Sequence, residues 1–551
     1  MRSKIAVLSF IVLACTAESQ AGSWFVSPSG NDAAAGTLAA PFRTITKAAS
    51  MTRPGDVVEV RGGVYPESVS IAAKGTASAP VTIRAYAGEQ PVIDGSTTAT
   101  DSNLVTLANA AHVVFSGFEV RNAKRAGICL YPANFVTIAS NSIHHSERNG
   151  IYIGSTSSDV TLEGNTVSNN VLHNRYHTMT GGWSQAIGVK GTRIAIRGNR
   201  VYENDGEGIA VILSDDVTVE KNEVRDNFSV GIYLDNAQTT RVDANLVFSS
   251  GNTRYYRDGH PAAGIGTANE SYSTSNPLDG LKITNNIVVR AKWGFYYSNE
   301  ESGGGLRNTV VANNTFHAAT HTLLFIAAGT HTGTIVQNNI FSQNGAAMTS
   351  IAGTGLAFRA NNWYGGAAGA AAGAGDAIGD PRFMNAGGSA AGDFRIRTGS
   401  SAAASGVDLN TLLTTDYFGS ARGRMFDIGA HQLTSSTAAT SDATPPTAPG
   451  NLQALIASPT SIALRWTAST DDTGVTGYRV YRRGALVATV GTTSYTDGGL
   501  VEGTSYSYQV FALDAAGNVS EGSWLVSIAP AGSSEPEPPS NSKKKSRTTR
   551  H

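Results

Sequence analysis

Between positions 185 and 238, apolar residues come in short alternating runs broken by Gly, Asn or Asp. Ala186-Ile187-Gly188-Val189-Lys190 and Arg193-Ile194-Ala195-Ile196-Arg197 lead to Gly198-Asn199-Arg200-Val201. A second copy follows as Gly208-Ile209-Ala210-Val211-Ile212, Asp216-Val217-Thr218-Val219-Glu220 and Lys221-Asn222-Glu223-Val224. A third opens at Gly231-Ile232-Tyr233-Leu234-Asp235 and ends at Asn245-Leu246-Val247. Alternation with a period of two predicts half-buried strands. A repeat of about two dozen residues made only of such strands predicts a β-helix, in which stacked rungs supply the core that no single rung could bury.

The Asn of each Asn-x-apolar step recurs as Asn141, Asn165, Asn199, Asn222, Asn245, Asn286, Asn314 and Asn339. Intervals of 24, 34, 23, 23, 41, 28 and 25 residues predict a basic turn of about 23 with loops inserted where the interval is long. Stacked Asn side chains bond to their equivalents one rung away, so these residues are assigned a structural ladder. Rungs are expected from about Val57 to Phe341. Upstream, Phe42, Ile45 and Ala49 recur at helical spacing, which predicts a short amphipathic helix over the open end of the stack.

Trp24-Phe25-Val26-Ser27-Pro28-Ser29-Gly30, Pro41-Phe42-Arg43-Thr44-Ile45, Pro54-Gly55-Asp56-Val57-Val58 and Arg61-Gly62-Gly63-Val64-Tyr65 resemble secreted right-handed parallel β-helix proteins of the pectate-lyase-like superfamily. The resemblance covers roughly residues 24–434. It implies a right-handed parallel β-helix solenoid and a carbohydrate ligand; the superfamily includes lyases, hydrolases, epimerases and non-catalytic binders. Gly379-Asp380-Pro381-Arg382-Phe383 and Asp427-Ile428-Gly429-Ala430-His431 resemble the closing segment of such proteins.

Residues 435–449 form a Ser/Thr/Ala/Pro linker. Beyond it, Ile462-Ala463-Leu464-Arg465-Trp466, Tyr478-Arg479-Val480-Tyr481 and Tyr506-Ser507-Tyr508-Gln509-Val510 alternate at period two. Residues 450–531 resemble a fibronectin type III β-sandwich, read as a spacer with a binding role as the alternative. The fold class is therefore all-β: a β-helix over residues 22–434, then the sandwich. Residues 532–551 are expected to be a disordered basic tail, with anionic-polymer binding as its minority reading.

Composition adds the compartment. Residues 1–21 carry a charged start and a short apolar core, the pattern of a secretory signal peptide cleaved after Ser19-Gln20-Ala21; acylation at Cys15 is the second reading. The expected location is extracellular. No other stretch approaches the ~20 apolar residues of a transmembrane helix. With Cys15 removed, Cys129 alone remains of two cysteines, so an internal disulfide is excluded. A formal net charge of -1 supplies no field that points to nucleic acid or membranes, and neither is expected as a partner. Oligomeric state is not encoded in these patterns.

Candidate chemistry sits in the two long intervals. One contains His173, Arg175, His177 and Trp183; the other contains Arg254, Arg257 and His260. Both leave after an Asn-x-apolar step and return before a Gly-Ile strand, so both are expected to rise on one side. Cations suit carboxylated sugars and rings suit the apolar faces of pyranoses. If Ile151, Ile187, Ile209 and Ile232 point inward, Tyr152, Gly188, Ala210 and Tyr233 point outward on successive rungs. Tyr152 and Tyr233 would then bracket a floor about one sugar wide, with Lys190 beside it and Asp235 in the same outer row.

Removing a proton beside a uronate carboxylate takes a base, a cation for the developing enolate, and an acid for the leaving oxygen. Lys190 is the candidate base, with an exposed rung lysine as its alternative; the resemblance supports a lysine, since several β-helix lyases use one. Arg175, Arg254 or Arg257 would neutralise the carboxylate, and Tyr233, His173 or His177 would serve as acid or alternative base. Tyr152, Trp183, His260 and Asp235 complete the expected substrate contacts. The expected activity is a polysaccharide lyase acting on an acidic, uronate-containing polysaccharide. Two rival classes use the same groove. Glu207 and Asp235 on adjacent rungs would make a glycoside hydrolase if their carboxyls lay about 5 Å or ~6.5 to 9.5 Å apart; a non-catalytic polysaccharide-binding surface protein would use the groove as a cradle. Glu207, Asp215, Asp216 and Asp235 could hold Ca²⁺, although no metal motif is satisfied and the calcium-and-lysine pattern of pectate lyases is not recognisable.

Overall fold

The computed structural model describes residues 21–272, 277–301, 303–343, 347–433, 444–471, 474–514, 518–523 and 525–530. The expected leader through residue 20 with Cys15, the linker through residue 443, and the basic tail lie outside the described residues. The chain divides into two units, Met1–Thr434 and Ser435–His551.

In the first unit each rung gives one strand to each of three parallel sheets. A 13-stranded sheet runs from Ser23–Val26 to Thr354–Arg359, and a second of 13 runs from Gly63–Tyr65 to Ala377–Ile378. An 11-stranded sheet, here the groove sheet, runs from Val69–Ile71 to Ala347–Ile351. The alternation seen in the sequence decides which side chains enter the core. Ile151, Ile187, Ile209, Ile232 and Ile265 pair in register along the groove sheet and are all fully buried. Burying one such side chain is worth about 1.5–3 kcal/mol.

The Asn ladder forms as expected. Each side-chain amide donates to the next Asn Oδ1 at 2.9–3.0 Å from Asn141 through Asn339. It extends one rung further, to Asn361 at 3.1 Å. Rungs therefore continue past Phe341, through Thr354–Arg359 and Asn362–Tyr364. The Ala- and Gly-rich sequence around them hides their alternation. A second ladder links Asn170, Asn204 and Asn227 at another corner.

The predicted cap is the helix Ile45–Met51, which buries Ile45, Ala48 and Ala49 against the first rungs. Thr44 starts it by accepting a hydrogen bond from the Lys47 amide. The closing segment folds back along the outer face of the sheet that contains Leu246, Ile287 and Ile340, packing Phe394, Ile396 and Ile428 on them. That face is therefore partly covered.

The second unit is a sandwich of three- and four-stranded antiparallel sheets around Trp466, Tyr478, Val480 and Tyr508.

Candidate functional site

Two insertions leave the sheet of Thr166–Ser168 and Leu246–Phe248 and enter the groove sheet at Gln185–Val189 and Ala263–Asn269. They start from the same corner and touch. The Arg257 guanidinium lies 4.7 Å above the Trp183 ring. His177 Nε2 and Arg254 Nη2 meet the buried Asp205 carboxylate at 2.8 and 3.1 Å. The second interval is not one loop, however. Beyond Ala263–Asn269 the chain brings Glu270 and Tyr272 over the sheet, against Tyr233 and Asp235.

This packing removes most of the loop residues from the role expected of them. His177 is stacked on Phe228 at 4.0 Å and bound to Asp205. Trp183 is 8% exposed against Phe228. His173 Nδ1 donates to the Glu147 carbonyl at 2.7 Å, while its Nε2 is buried without a partner. Burial lowers its pKa and keeps the ring neutral. Arg175 faces Glu147 at 3.6 Å, and His260 Nδ1 contacts Thr320 Oγ1 at 3.1 Å. These residues tie the loops down, because a solvent-rich sequence segment can rigidify only by pairing its polar groups internally.

The expected floor is present in register but closed. Tyr152, Gly188, Ala210 and Tyr233 are successive partners across the groove sheet, yet Ala210 and Gly188 are buried. Tyr296 lies across Gly266, where an added Cβ would come within 2.2 Å of its ring, and stacks on Tyr233 at 6.5 Å. The Tyr233 hydroxyl donates to Glu270 Oε1 at 2.5 Å, and burial drives its pKa far up. Tyr233 is thus a sealed structural donor, which corrects its assignment as the acid. Asp235, 1% exposed and bonded by the Tyr272 hydroxyl, is likewise removed from substrate contact.

Register places the rival carboxylate pair at opposite ends of neighbouring strands. Glu207 opens the strand Glu207–Ile212, whereas Asp235 pairs with Ile212 at its far end. The two acids therefore do not sit opposite one another on adjacent rungs, although both lie near Glu270 and the Asp235 charge acts on Glu207. Among the described residues no group of three or more His, Cys, Asp or Glu is arranged to hold a metal. Asp215 and Asp216 lie on a strand of a different sheet, so the acids offered for Ca²⁺ do not converge.

The sealed acids have a measurable consequence. Burial, with the Glu270 charge adding to it, pushes the Glu207 carboxyl up to about 8 and Asp235 up to about 7; the Tyr272 hydrogen bond and Lys190 oppose the second shift. The folded protein therefore holds protons that the unfolded chain releases near pH 4, where ordinary carboxyls titrate. Stability is fully present below about pH 4 from these groups and declines as pH rises toward 8. Melting temperature should fall between pH 5 and 8.5, and Glu207→Gln should flatten that slope and raise the melting temperature at pH 8.5. An identical slope in the variant would remove Glu207 as its source.

What remains open is a groove of about 580 Å³ further toward the N-terminal rungs, lined by Arg125, Arg148, Lys190, Tyr131, Tyr152 and Asn149 among others. Of the expected residues only Lys190 and Tyr152 lie on it. Arg125 and Arg148 occupy equivalent places on adjacent rungs, the Arg148 amide donating to the Arg125 carbonyl at 2.9 Å. No Asp or Glu lines the groove. Among the described residues Arg125, Arg148 and Lys190 form no ion pair, whereas nearby Arg121, Arg175, Arg193, Arg225 and Arg254 all do. Arg125 and Arg148 are exposed and Lys190 is half-buried, so the charge of all three is available to an anionic ligand. Burial raises the pKa of Tyr152, keeping its hydroxyl protonated. Cys129 also borders the groove as a free, buried thiol. Arg125 and Arg148 each precede an inward Ile by three residues, a repeat visible in the sequence but overshadowed by the longer loops.

Similarity to known proteins agrees with this architecture. A family model described as "Pel9A-like, right handed beta helix region" matches residues 24–322, and a fibronectin type III model matches residues 447–528. Pectate lyase PEL9 of Emericella nidulans is 28% identical over 370 residues, covering 62% of this chain and 83% of that protein. Exoglucanase B of Cellulomonas fimi is 49% identical over 105 residues, 19% of this chain and 9% of its own length. The chain thus spans only a small part of that relative. The crystal structure of pectate lyase Pel9A covers 76% of this chain and 97% of its own, with 18% identity and a TM-score of 0.45. With more than half its length matched by one model, the chain belongs to the Pel9A-like right-handed β-helix family and carries a fibronectin type III domain behind it.

Proposed function

We propose that this protein is a secreted polysaccharide lyase that cleaves a uronate-containing polymer by β-elimination in the groove of Arg125, Arg148, Tyr152 and Lys190. The observation that carries the reading is the concentration of three unpaired cations, with no carboxylate, in one open depression beside aromatic rings. The similarity to a pectate lyase over most of that protein's length supports the same chemistry.

In this reading Arg148 and Arg125 bind the sugar carboxylate and stabilise the charge that develops on it. The Lys190 amine takes the proton from the carbon bearing the carboxylate. The electron pair released forms a carbon–carbon double bond as the bond to the glycosidic oxygen breaks. Tyr152 replaces the buried Tyr233 as the acid that protonates this oxygen. No water is consumed, so one product carries an unsaturated end.

Incubation with polygalacturonate, alginate and other uronate polymers tests this. A lyase gives ultraviolet-absorbing ends in step with chain shortening; new reducing ends without absorbance would replace the reading with hydrolysis, and binding without cleavage would reduce the groove to a cradle. Arg148→Ala should weaken polymer binding about tenfold, the scale of one lost charge-assisted contact. It should also lessen the dependence of binding on salt, since screening acts on the charge removed. Affinity at two ionic strengths measures both; unchanged affinity would take Arg148 out of the site.

A further inference from the structure

The groove contains one large aromatic surface that its proposed chemistry leaves unused. Leu130 pairs with Ile153, and Ile153 pairs with Val189. The residues that follow them, Tyr131, Gly154 and Lys190, therefore share one position on three successive rungs. Two backbone bonds confirm the alignment, from the Gly154 amide to the Leu130 carbonyl and from the Lys190 amide to the Ile153 carbonyl, both 2.9 Å. Neighbouring rungs are ~4.8 Å apart, which puts the Tyr131 and Lys190 Cα atoms about 10 Å from each other.

The middle residue has no side chain, and the Tyr131 ring uses that space. A Cβ at position 154 would lie 2.0 Å from Tyr131 Cδ2 and 2.9 Å from its two ring neighbours. Those distances set the ring's edge, rather than a face, against Gly154. Tyr131 is 52% exposed, and among the described residues no other ring stacks on it. A tyrosine standing on edge over a glycine, half-exposed and lining the groove, holds a large apolar surface out of the core at the expense of the hydrophobic effect.

We propose that Tyr131 is a sugar-stacking shelf: one face of its ring takes the apolar face of a pyranose in the subsite next to Lys190, and Gly154 is the residue that lets the ring stand there. The inference rests on the lyase reading for the identity of the sugar, a uronate within the same chain that Lys190 attacks. Ring stacking would fix the height and tilt of that neighbouring unit, and so the register in which the scissile unit meets the amine. Tyr131 is in this sense a positioning and specificity residue. The ring selects a pyranose with one flat, hydroxyl-poor face, whereas Arg125 and Arg148 select the carboxylate.

The test is calorimetric binding of polygalacturonate and alginate oligomers, in a size series, to the full chain carrying Lys190→Ala so that turnover does not interfere. Adding Tyr131→Ala should weaken binding of the preferred oligomer about tenfold. Tyr131→Phe should recover it, since the ring and not the hydroxyl makes the contact. Gly154→Ala should reproduce the loss without touching the tyrosine, because the added methyl displaces the ring edge. Circular dichroism on each variant separates lost binding from lost fold. Affinity within twofold of the parent for both Tyr131→Ala and Gly154→Ala overturns the shelf, and leaves the lyase reading intact if the unaltered chain still forms unsaturated ends. Loss on Tyr131→Ala in a protein that forms no such ends keeps the shelf and overturns the chemistry. If no oligomer binds the unaltered chain, both are overturned.

Discussion

Lys190→Ala is expected to abolish formation of unsaturated ends, lowering kcat/KM by at least about a hundredfold, the lower limit for a lost general base. The fold should be unaffected. Lys190 follows the strand Gln185–Val189 at the rim of the groove, is only partly buried, and makes no ion pair among the described residues. Its removal leaves no stranded partner and no cavity in the core. Circular dichroism and melting temperature should match those of the unaltered chain. Lys190→Arg separates two roles, since a guanidinium keeps the charge but is never deprotonated in this range. Polymer binding should survive in that variant while elimination fails. Activity in Lys190→Arg would assign the residue to charge alone, and near-normal turnover in Lys190→Ala would take it out of the site.

Asn222→Ala should be among the most destabilising single substitutions in the β-helix. Asn222 Oδ1 accepts from both the backbone and the side-chain amide of Asn199, at 2.9 and 3.0 Å. Its own Nδ2 donates to the Ile196 carbonyl and to Asn245 Oδ1, both at 2.9 Å. Alanine leaves the buried Asn199 backbone amide without its acceptor and takes one bond each from Asn199 Nδ2, the Ile196 carbonyl and Asn245 Oδ1, of which Asn199 Nδ2 keeps the Leu162 and Arg197 carbonyls and Asn245 Oδ1 keeps the backbone amide of position 222. At roughly 1–3 kcal/mol for one buried group left unsatisfied, with the three weakened contacts adding to it, the loss is on the order of 2–3 kcal/mol. The melting temperature of the β-helix should fall by several degrees. A melting temperature within a degree of the unaltered protein for Asn222→Ala would show that the rungs repair the gap by themselves. The last asparagine of the ladder, Asn361, offers a graded comparison, with a smaller expected loss because it has one stacked Asn neighbour rather than two.

The two residues at the centre of these predictions were legible in the sequence to different depths. Asn222 is identified by its recurrence, and its environment follows from the repeat: every copy must place the same atom at the same corner. Lys190 is identified by alternation, which fixes the side of the strand it leaves. Arg125, Arg148 and Tyr131 obey the same arithmetic, yet composition gives no reason to prefer them over the His- and Arg-rich loops. Those loops looked like the site because their polar residues had no evident partners. Asp205, Glu147 and Phe228 supply them, and these contacts cross between rungs that no local pattern relates.

The sequence by itself determined the stack: a period of about 23 residues with strands alternating at two fixes the sheets, the register, the Asn ladder and the inward isoleucines, because every rung repeats the same local physics. Only the tertiary structure decided where the stack stays open. Glu270 and Tyr272, which follow Ala263–Asn269, bond to Tyr233 and Asp235, and Tyr296 settles across Gly266. One half of an otherwise uniform face is thereby sealed, and the half bearing Arg125, Arg148 and Lys190 is left to solvent. Whether an outward side chain is covered depends on a loop returning from elsewhere in the chain, and periodicity within the strand carries no information about that loop.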